Sequence, residues 1–338
     1  MKKISLSDTR YDGFAFILDG IDPDAAVNRL NLDINVWIDG DRKGDIDFGL
    51  KIPVGARDAK LVMYAPYLLR DQDIQDLWSQ IGNREIIHGI FDSNLVTDSS
   101  EDEEVVRVQY KGPSGCAEGQ DNLSLIPFES DLHEKPTVVV RQTRGHFGSV
   151  ITFNLKRITS GLTLEGSIYL RFRIPFNTLN EQFPTMRSYR GVFTSPSADC
   201  RLNMFIKVNE ERHLPPSIRA RLHRQGTRIG KTYIILAADE RWNVISVRQP
   251  YRIRNLEEGL WEQYWPTLKR KALRPLGGPK YMVYQWEQPE AVGGIRGFSL
   301  LVSLNKTKVN APSLLFYLFI FVAFDFLSEL VIRLVFGS

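Results

Sequence analysis

Apolar and polar residues alternate along much of this chain, the period-two pattern of strands that bury one face. The pattern predicts strands at 30–39, 58–69, 103–110, 149–157, 164–174, 231–239, 243–254, 280–287 and 297–304. The runs 231–239 and 243–254 are predicted to form a hairpin that turns at DERW. Clusters of Gly, Pro, Asn and Asp separate the runs, which is typical of a β-sandwich or barrel.

Helical periodicity is confined to a few places. Three short helices are predicted at 71–81, 215–225 and 255–265, and a long apolar segment closes the chain at 314–336. Because helices do not alternate with strands, a doubly wound sheet is not expected. The predicted fold class is mainly β, a sandwich- or barrel-like cytoplasmic region with a few short helices, plus one C-terminal transmembrane α-helix.

The segment 314–336 is long enough for a membrane span but carries three ionisable residues, Asp325, Glu329 and Arg333. As an α-helix it measures about 34 Å, against a hydrocarbon core of about 30 Å. Its Leu, Ile, Phe and Val residues contribute roughly −8 kcal/mol to insertion, and its charges cost roughly +6 to +9 kcal/mol. The free energy of inserting a single copy is therefore close to zero, and stable insertion requires a further interaction that lowers the cost of the charges.

The spacing of the charges suggests how that cost is lowered. Residues four apart lie on one helix face, and Glu before Arg is the favourable order for an ion pair. Several copies that turn this face inward would shield it, which predicts a homo-oligomer of four or more copies in the lipid bilayer. An apolar ring would then gate by dewetting and an acidic ring would select cations. The predicted pore-lining residues are Leu318, Phe321, Val322, Asp325, Ser328, Glu329 and Arg333.

Three other interpretations of the segment stay open: a buried helix of a soluble domain, an interfacial amphipathic helix, and a plain anchor without conduction. If the segment spans, Lys306 and Lys308 on its N-terminal side place residues 1–310 in the cytoplasm by the positive-inside rule. No apolar stretch follows the basic start MKKIS, so export is not expected. The predicted location is the bacterial inner membrane, with a single-pass, tail-anchored layout.

Charge is distributed unevenly although the net charge is only +3. Residues 1–135 carry about −12 and residues 136–338 about +15, which favours an anionic partner or attraction between the two halves in an oligomer. The predicted domains are an acidic β-rich domain at 1–130, a basic β-rich domain at 131–310 and the membrane helix at 311–338.

In the stretch 212–274 basic residues outnumber acidic ones almost three to one. Guanidinium groups suit phosphates and interleaved aromatic rings can stack on bases, so an anionic nucleotide or short single-stranded oligonucleotide is a candidate ligand. A solvated basic surface, or one that faces anionic lipid headgroups, is the alternative. The candidate ligand-binding residues are Arg219, Arg221, Arg224, Arg228, Lys231, Trp242, Arg248, Tyr251, Arg252, Arg254, Lys269, Arg270 and Lys271.

Signals for catalysis are weak. GTRIGKT (226–232) lacks one residue of a phosphate-binding P-loop and leads into a strand where that motif requires a helix. The five histidines show no HExxH spacing, Cys116 and Cys200 form no metal motif, and the acidic runs at 19–25 and 38–47 look like ordinary turns. No catalytic residue, metal site or cofactor is predicted, and the chain is not expected to be an enzyme.

The layout, a basic segment at 219–231 and a terminal membrane helix at 314–336, resembles the membrane effectors of nucleotidyltransferase-linked antiphage defence systems of bacteria, the CBASS and Hailong types. This resemblance implies an oligomeric channel that is opened or held shut by a nucleotide signal, supplied by a nucleotidyltransferase of the same operon. Two rival functions stay open. They are a tail-anchored adaptor that binds a cytoplasmic protein, and a membrane-tethered hydrolase or transferase.

Overall fold

The fold is mostly β, with one long apolar helix at its C-terminus, as the sequence predicts. The computed structural model describes residues 11–39, 43–81, 84–91, 95–98, 105–110, 122–129, 136–143, 147–164, 166–175, 185–189, 197–265, 280–289, 291, 293–309 and 311–337. They belong to two compact units. Unit 1 comprises Met1–Gln182, Phe205–Glu240 and Arg248–Leu300, and unit 2 comprises Phe183–Met204, Arg241–Val247 and Leu301–Ser338.

Eighteen strands are described. In chain order they are β1 (Ala15–Asp19), β2 (Arg29–Asp39), β3 (Lys43–Pro53), β4 (Lys60–Ala65), β5 (Gln75–Asp76), β6 (Leu95–Asp98), β7 (Val106–Tyr110), β8 (Leu123–Leu125), β9 (Val138–Gln142), β10 (Ser149–Asn154), β11 (Ser167–Pro175), β12 (Thr185–Tyr189), β13 (Ser197–Val208), β14 (Arg228–Asp239), β15 (Asn243–Ser246), β16 (Arg252–Asn255), β17 (Tyr281–Gln288) and β18 (Phe298–Val309).

The described α-helices are short except for the last. They are α1 (Trp78–Ile81), α2 (Arg84–Phe91), α3 (Leu155–Ile158), α4 (Pro216–Gln225), α5 (Glu258–Trp261) and the tail helix (Ala311–Phe336), with 3₁₀ turns at Val54–Ala56, Asp71–Asp73 and Glu211–His213.

Unit 1 is built around a β-sandwich. Its larger sheet has the order β16-β17-β14-β2-β3-β11-β8-β7-β6, and its smaller sheet has the order β1-β4-β10-β9. Alternating side chains of the two sheets meet in an aromatic layer, in which Phe16 lies 5.5 Å from Phe48 and Phe153 lies 5.1 Å from Phe172, between ring centroids. Aromatic pairs at such distances add to the burial of their apolar area.

The outer face of the smaller sheet is partly covered by α4. The helix has Pro216 at its start and ends at Gly226, whose φ of 64° is the left-handed conformation that glycine adopts at little cost. Its apolar side packs Ile218 and Leu222 against Ile17 and neighbouring residues of β1 and β4. The helix predicted at 215–225 is thus confirmed.

A buried polar network lies on the other face of the larger sheet. The carboxylate of Asp47 accepts hydrogen bonds from Arg173 Nε at 2.7 Å, from Trp37 Nε1 at 2.6 Å and from the Tyr264 hydroxyl at 2.7 Å. The Tyr264 hydroxyl in turn accepts from Arg171 Nε at 2.6 Å. All of these groups are nearly inaccessible. The buried charge of Asp47 is tolerated because it is paired with Arg173 and accepts hydrogen bonds from its neighbours, whereas Arg171 Nη2 has no hydrogen-bond partner in the described chain.

Two more carboxylates border this network. Asp33 accepts a hydrogen bond from the Tyr169 hydroxyl at 2.9 Å, and Asp45 accepts one from Trp265 Nε1 at 3.0 Å. Burial raises the pKa of both carboxyl groups, and the nearby guanidinium groups offset this only in part. Asp45 belongs to the run predicted as an acidic turn, so that prediction is wrong for this part of it: the segment is strand β3, and its acidic residues face inward.

Two other sequence predictions need correction. The hairpin of 231–239 with 243–254 is wrong, because β14 pairs with β2 and β17 whereas β15 pairs with β18. The segment at 71–81 is a 3₁₀ turn, a two-residue strand and one helical turn, because Asp76 Oδ2 and Oδ1 accept the backbone N–H groups of Phe128 and Trp78.

The domain boundary predicted at 130/131 falls inside unit 1. Strands from either side of it pair there, β4 with β10 and β3 with β11. The acidic and basic stretches are therefore interleaved in one sandwich, and the charge asymmetry along the chain does not separate two bodies at that point.

Unit 2 contains a four-stranded sheet in the order β12-β13-β18-β15. The hydroxyl of Ser303 donates to Asn203 Oδ1 at 2.7 Å, and Arg201 Nε donates to Asn305 Oδ1 at 3.0 Å. Trp242 is 2% exposed, and the ammonium of Lys306 lies 5.3 Å from its ring centroid. The tail helix follows β18 after one residue.

Candidate functional site

The tail helix is the first candidate. It runs over 26 residues, about 39 Å at 1.5 Å per residue. Its stretch Leu314–Val335 has a mean hydropathy of 2.2 and none of it is buried. By length and composition, this is the one helix of the described chain that could span a membrane.

The charges of the tail helix lie where the spacing predicts. Arg333 Nη2 is 2.6 Å from Glu329 Oε1, so the predicted i, i+4 ion pair is confirmed. The Ser328 hydroxyl donates to the Asp325 carbonyl oxygen at 2.7 Å. All seven predicted pore-lining residues, namely Leu318, Phe321, Val322, Asp325, Ser328, Glu329 and Arg333, are exposed on the helix surface. Their role in a pore stays a prediction.

The predicted ligand-binding residues of α4 lie at different depths. Arg224 is exposed, whereas Arg219 and Arg221 are half-buried. Arg221 forms an ion pair with Asp19 of β1, and Gln225 Nε2 donates to the other oxygen of Asp19 at 2.6 Å. Arg221 is thus already engaged with a carboxylate.

On β14, Arg228 is half-buried and Lys231 is paired. Lys231 Nζ lies 3.0 Å from Glu287 Oε1 and 4.7 Å from the ring centroid of Tyr233. Burial alone would lower the pKa of Lys231, but hydrogen bonds with Tyr233 and Glu287 raise it overall, so the ammonium stays charged.

Around β16 the remaining cations are more open. Tyr251 and Arg252 are exposed, and Arg248 Nη1 donates to Gln288 Oε1 at 2.8 Å. Arg254 Nη1 lies 3.5 Å from Glu257 Oε1. Trp242 belongs to unit 2 and is buried beneath Lys306, so base stacking would require it to be uncovered. Lys269, Arg270 and Lys271 lie outside the described residues.

The described predicted cations are thus distributed over α4, β14, β16 and the segment before β16, and three of them already pair with carboxylates. The sequence pattern indicates the basic stretch but not the groove on the smaller sheet. Among the described residues no group of three His, Cys, Asp or Glu side chains could hold a metal ion.

A groove of about 500 Å³ lies on the outer face of the smaller sheet and is called here the cationic groove. Because α4 packs over β1 and β4, the outer face of β10 and β9 is left open beside it. The groove is lined by Asp19, Lys60, Pro136, Thr137, Val139, Arg141, Gln142, Val150, Thr152, Asn154, Arg157 and Arg221.

Strand register explains which side chains line the groove. Lys60 lies opposite Asp19 on one side and Asn154 on the other, and Arg141 lies opposite Val150. Since alternate residues of paired strands share a face, these side chains form adjoining rows on one surface. Arg157 comes from α3, where its Nη1 donates to the Pro136 carbonyl oxygen at 3.3 Å.

Among the described residues that line the groove, four are cations and one, Asp19, is a carboxylate. Asp19 is shared with Arg221, and in the described chain Lys60 and Arg141 have no side-chain hydrogen bond or ion pair. Of the groove cations only Arg221 was predicted, because the others lie outside the basic stretch, Lys60 on β4, Arg141 on β9 and Arg157 on α3. The pairing of β4, β10 and β9 brings these cations together, and that pairing cannot be read from the sequence.

Comparison with known proteins gives no family. No family model and no curated protein matches the chain. Among solved structures it is similar, with a TM-score of 0.14 and 8% sequence identity, to the Fcho1 Mu homology domain of Danio rerio with bound Eps15 peptide, over 88% of this chain and 81% of that one. A likeness this weak carries no argument for fold or function.

Proposed function

We propose that this chain is a single-pass membrane effector whose tail helices assemble into a charge-lined, ion-conducting bundle. Its β-rich region, on the cytoplasmic side, binds an anionic nucleotide or short oligonucleotide and thereby biases the bundle between two arrangements. A role in antiphage defence, in the bacterial inner membrane, is the biological setting that the resemblance in layout favours.

The observation that carries the proposal is the exposed tail helix with its charges on one face. A lone helix would set Asp325, Glu329 and Arg333 against acyl chains, at up to about 3 kcal/mol for each charge near the bilayer centre. The ion pair of Glu329 with Arg333 lowers part of that cost. Asp325 makes no ion pair in the described chain, so sister copies or water must solvate it.

A non-conducting adaptor is the second candidate, since a plain anchor would also use an apolar tail. Under that function the ionisable face has no role, and an unrelated apolar helix would replace it. Under the proposed function such a replacement abolishes conduction while the protein remains in the membrane.

The test is ion flux from liposomes that contain the purified full chain. Asp325→Leu with Glu329→Leu is expected to keep carbonate-resistant membrane association and to abolish flux. Leu327→Ala is the matched control, because Leu327 lies about 200° around the helix from Asp325 and is exposed. Flux from the double variant equal to that of the unchanged chain would refute conduction through the charged face.

A further inference from the structure

We propose that the cationic groove binds the phosphate of a small phosphorylated molecule, with room for a mononucleotide. This deepens the ligand-sensing part of the proposed function, on which it rests for the consequence of binding. It moves the ligand away from most of the basic stretch 212–274 and onto the outer face of the smaller sheet.

Charge is the first argument. Among the described lining residues, Lys60, Arg141 and Arg157 have no lining carboxylate to balance them once Arg221 is matched with Asp19. Cations held at the walls of a concave surface raise the local concentration of anions. Arginine offers a planar set of donors that fits a phosphate in two-point contact, and lysine adds a point charge.

The floor of the groove supplies the rest of a small-molecule site. Val139, which is 38% exposed, and Val150 give an apolar surface, and Thr152 and Gln142 add hydroxyl and amide groups. Small-molecule sites combine an apolar lining with a few polar groups in volumes of about 300–1,000 Å³. The groove, at about 500 Å³, falls within that range.

The ion pair between Arg221 and Asp19 couples the groove to α4. Asp19 also holds Gln225 at the end of that helix, and Asn28 Nδ2 donates to the Gln225 carbonyl oxygen at 2.5 Å. A bound phosphate would compete with Asp19 for Arg221. Ligand binding is therefore expected to loosen the contact between the C-terminal end of α4 and β1.

The test is isothermal titration calorimetry, which measures the affinity of the detergent-solubilised full chain for three probes. They are adenosine monophosphate, glycerol 3-phosphate and inorganic phosphate. Arg141→Gln and Lys60→Gln are each expected to weaken binding about tenfold, the usual effect of losing one charged contact. Arg212→Gln, an exposed cation outside the groove and outside the predicted ligand-binding residues, is the control and is expected to change affinity less than twofold. Arg224→Gln tests the alternative site predicted on α4.

The pattern over the probes identifies the source of the phosphate. Adenosine monophosphate binding more tightly than the other two supports a nucleotide that packs on Val139 and Val150. Equal binding of glycerol 3-phosphate supports the groove as a phosphate site that a lipid headgroup can also fill.

Two results overturn the inference: no probe binds at millimolar concentration, or Arg224→Gln weakens binding as much as Arg141→Gln. Failure of the proposed function is distinguishable. A groove that binds in a chain without flux contradicts conduction alone, whereas flux in a chain whose groove binds no probe contradicts this inference alone.

Discussion

Replacement of Tyr264 by phenylalanine tests whether the buried polar network stabilises unit 1. The substitution removes one hydroxyl that donates to Asp47 Oδ2 at 2.7 Å and accepts from Arg171 Nε at 2.6 Å. Asp47 keeps its contacts with Arg173 and Trp37, so the carboxylate remains paired. Arg171 keeps only its Tyr169 contact at 2.8 Å, while its Nη2 has no hydrogen-bond partner in the described chain.

The magnitude follows from two lost hydrogen bonds to charged groups. Each contributes about 1.5–3 kcal/mol, and the buried Arg171 is left without a partner at Nε, so the free energy of unfolding should fall by at least about 3 kcal/mol. In a unit of this size each kcal/mol corresponds to about 2–4 °C in melting temperature, so a loss of about 3 kcal/mol lowers the melting temperature by about 6–12 °C.

The assay is thermal unfolding of the detergent-solubilised protein. Tyr284→Phe is the matched control, because Tyr284 is half-buried and makes no side-chain hydrogen bond in the described chain. Its melting temperature should stay within about 2 °C of the unchanged protein. If Tyr264→Phe melts as close to the unchanged protein as the control does, the network does not stabilise unit 1.

Three further changes test other parts of the structure. Burial opposes ionisation of Asp12, but Lys207 and His213 lower its pKa overall. The ionised Asp12 therefore stabilises the folded state above about pH 4, and this stabilisation is lost as pH falls through the lowered pKa. The difference in melting temperature between Asp12→Asn and the unchanged protein should shrink below pH 4, and a constant difference from pH 6 to pH 3 contradicts this. Gly226→Ala should lower the free energy of unfolding, measured by thermal unfolding, by about 1 kcal/mol because φ at this position is 64°. Gly259→Ala, in a helix with open space around it, should not lower it. Equal effects would contradict the role of the left-handed cap. Trp242→Ala should destabilise the protein by about 3–5 kcal/mol and leave the affinity for adenosine monophosphate unchanged. A loss of that affinity without loss of stability would show that Trp242 contacts the ligand.

Local patterns predicted the tail and ten of the eighteen described strands, whereas β1, β3, β5, β6, β8, β9, β12 and β13 were not predicted. Alternation predicted most strands of the sandwich, and the spacing of four residues predicted the ion pair between Glu329 and Arg333. Both signals lie within a few residues of sequence, where period and direction are fixed by the backbone.

Features that depend on distant partners were not predictable. The sequence pattern predicts a turn in place of strand β3 because Asp45 and Asp47 look exposed, and the guanidinium that neutralises Asp47 lies 126 positions away. The hairpin prediction is wrong because a short connection favours pairing of β14 with β15, whereas β14 pairs with β2, which comes from the first part of the chain. The cationic groove is assembled from β1, β4, β9, β10, α3 and α4, and only its Arg221 belongs to a visible basic cluster.

The central claim is that the tail helix lies across a bilayer with its carboxylates facing sister copies. Chemical crosslinking of the full chain in liposomes, followed by denaturing electrophoresis, tests it most directly. Species of four or more copies that persist after alkaline carbonate washing are expected. Only single subunits, or release of the chain by the wash, would contradict it.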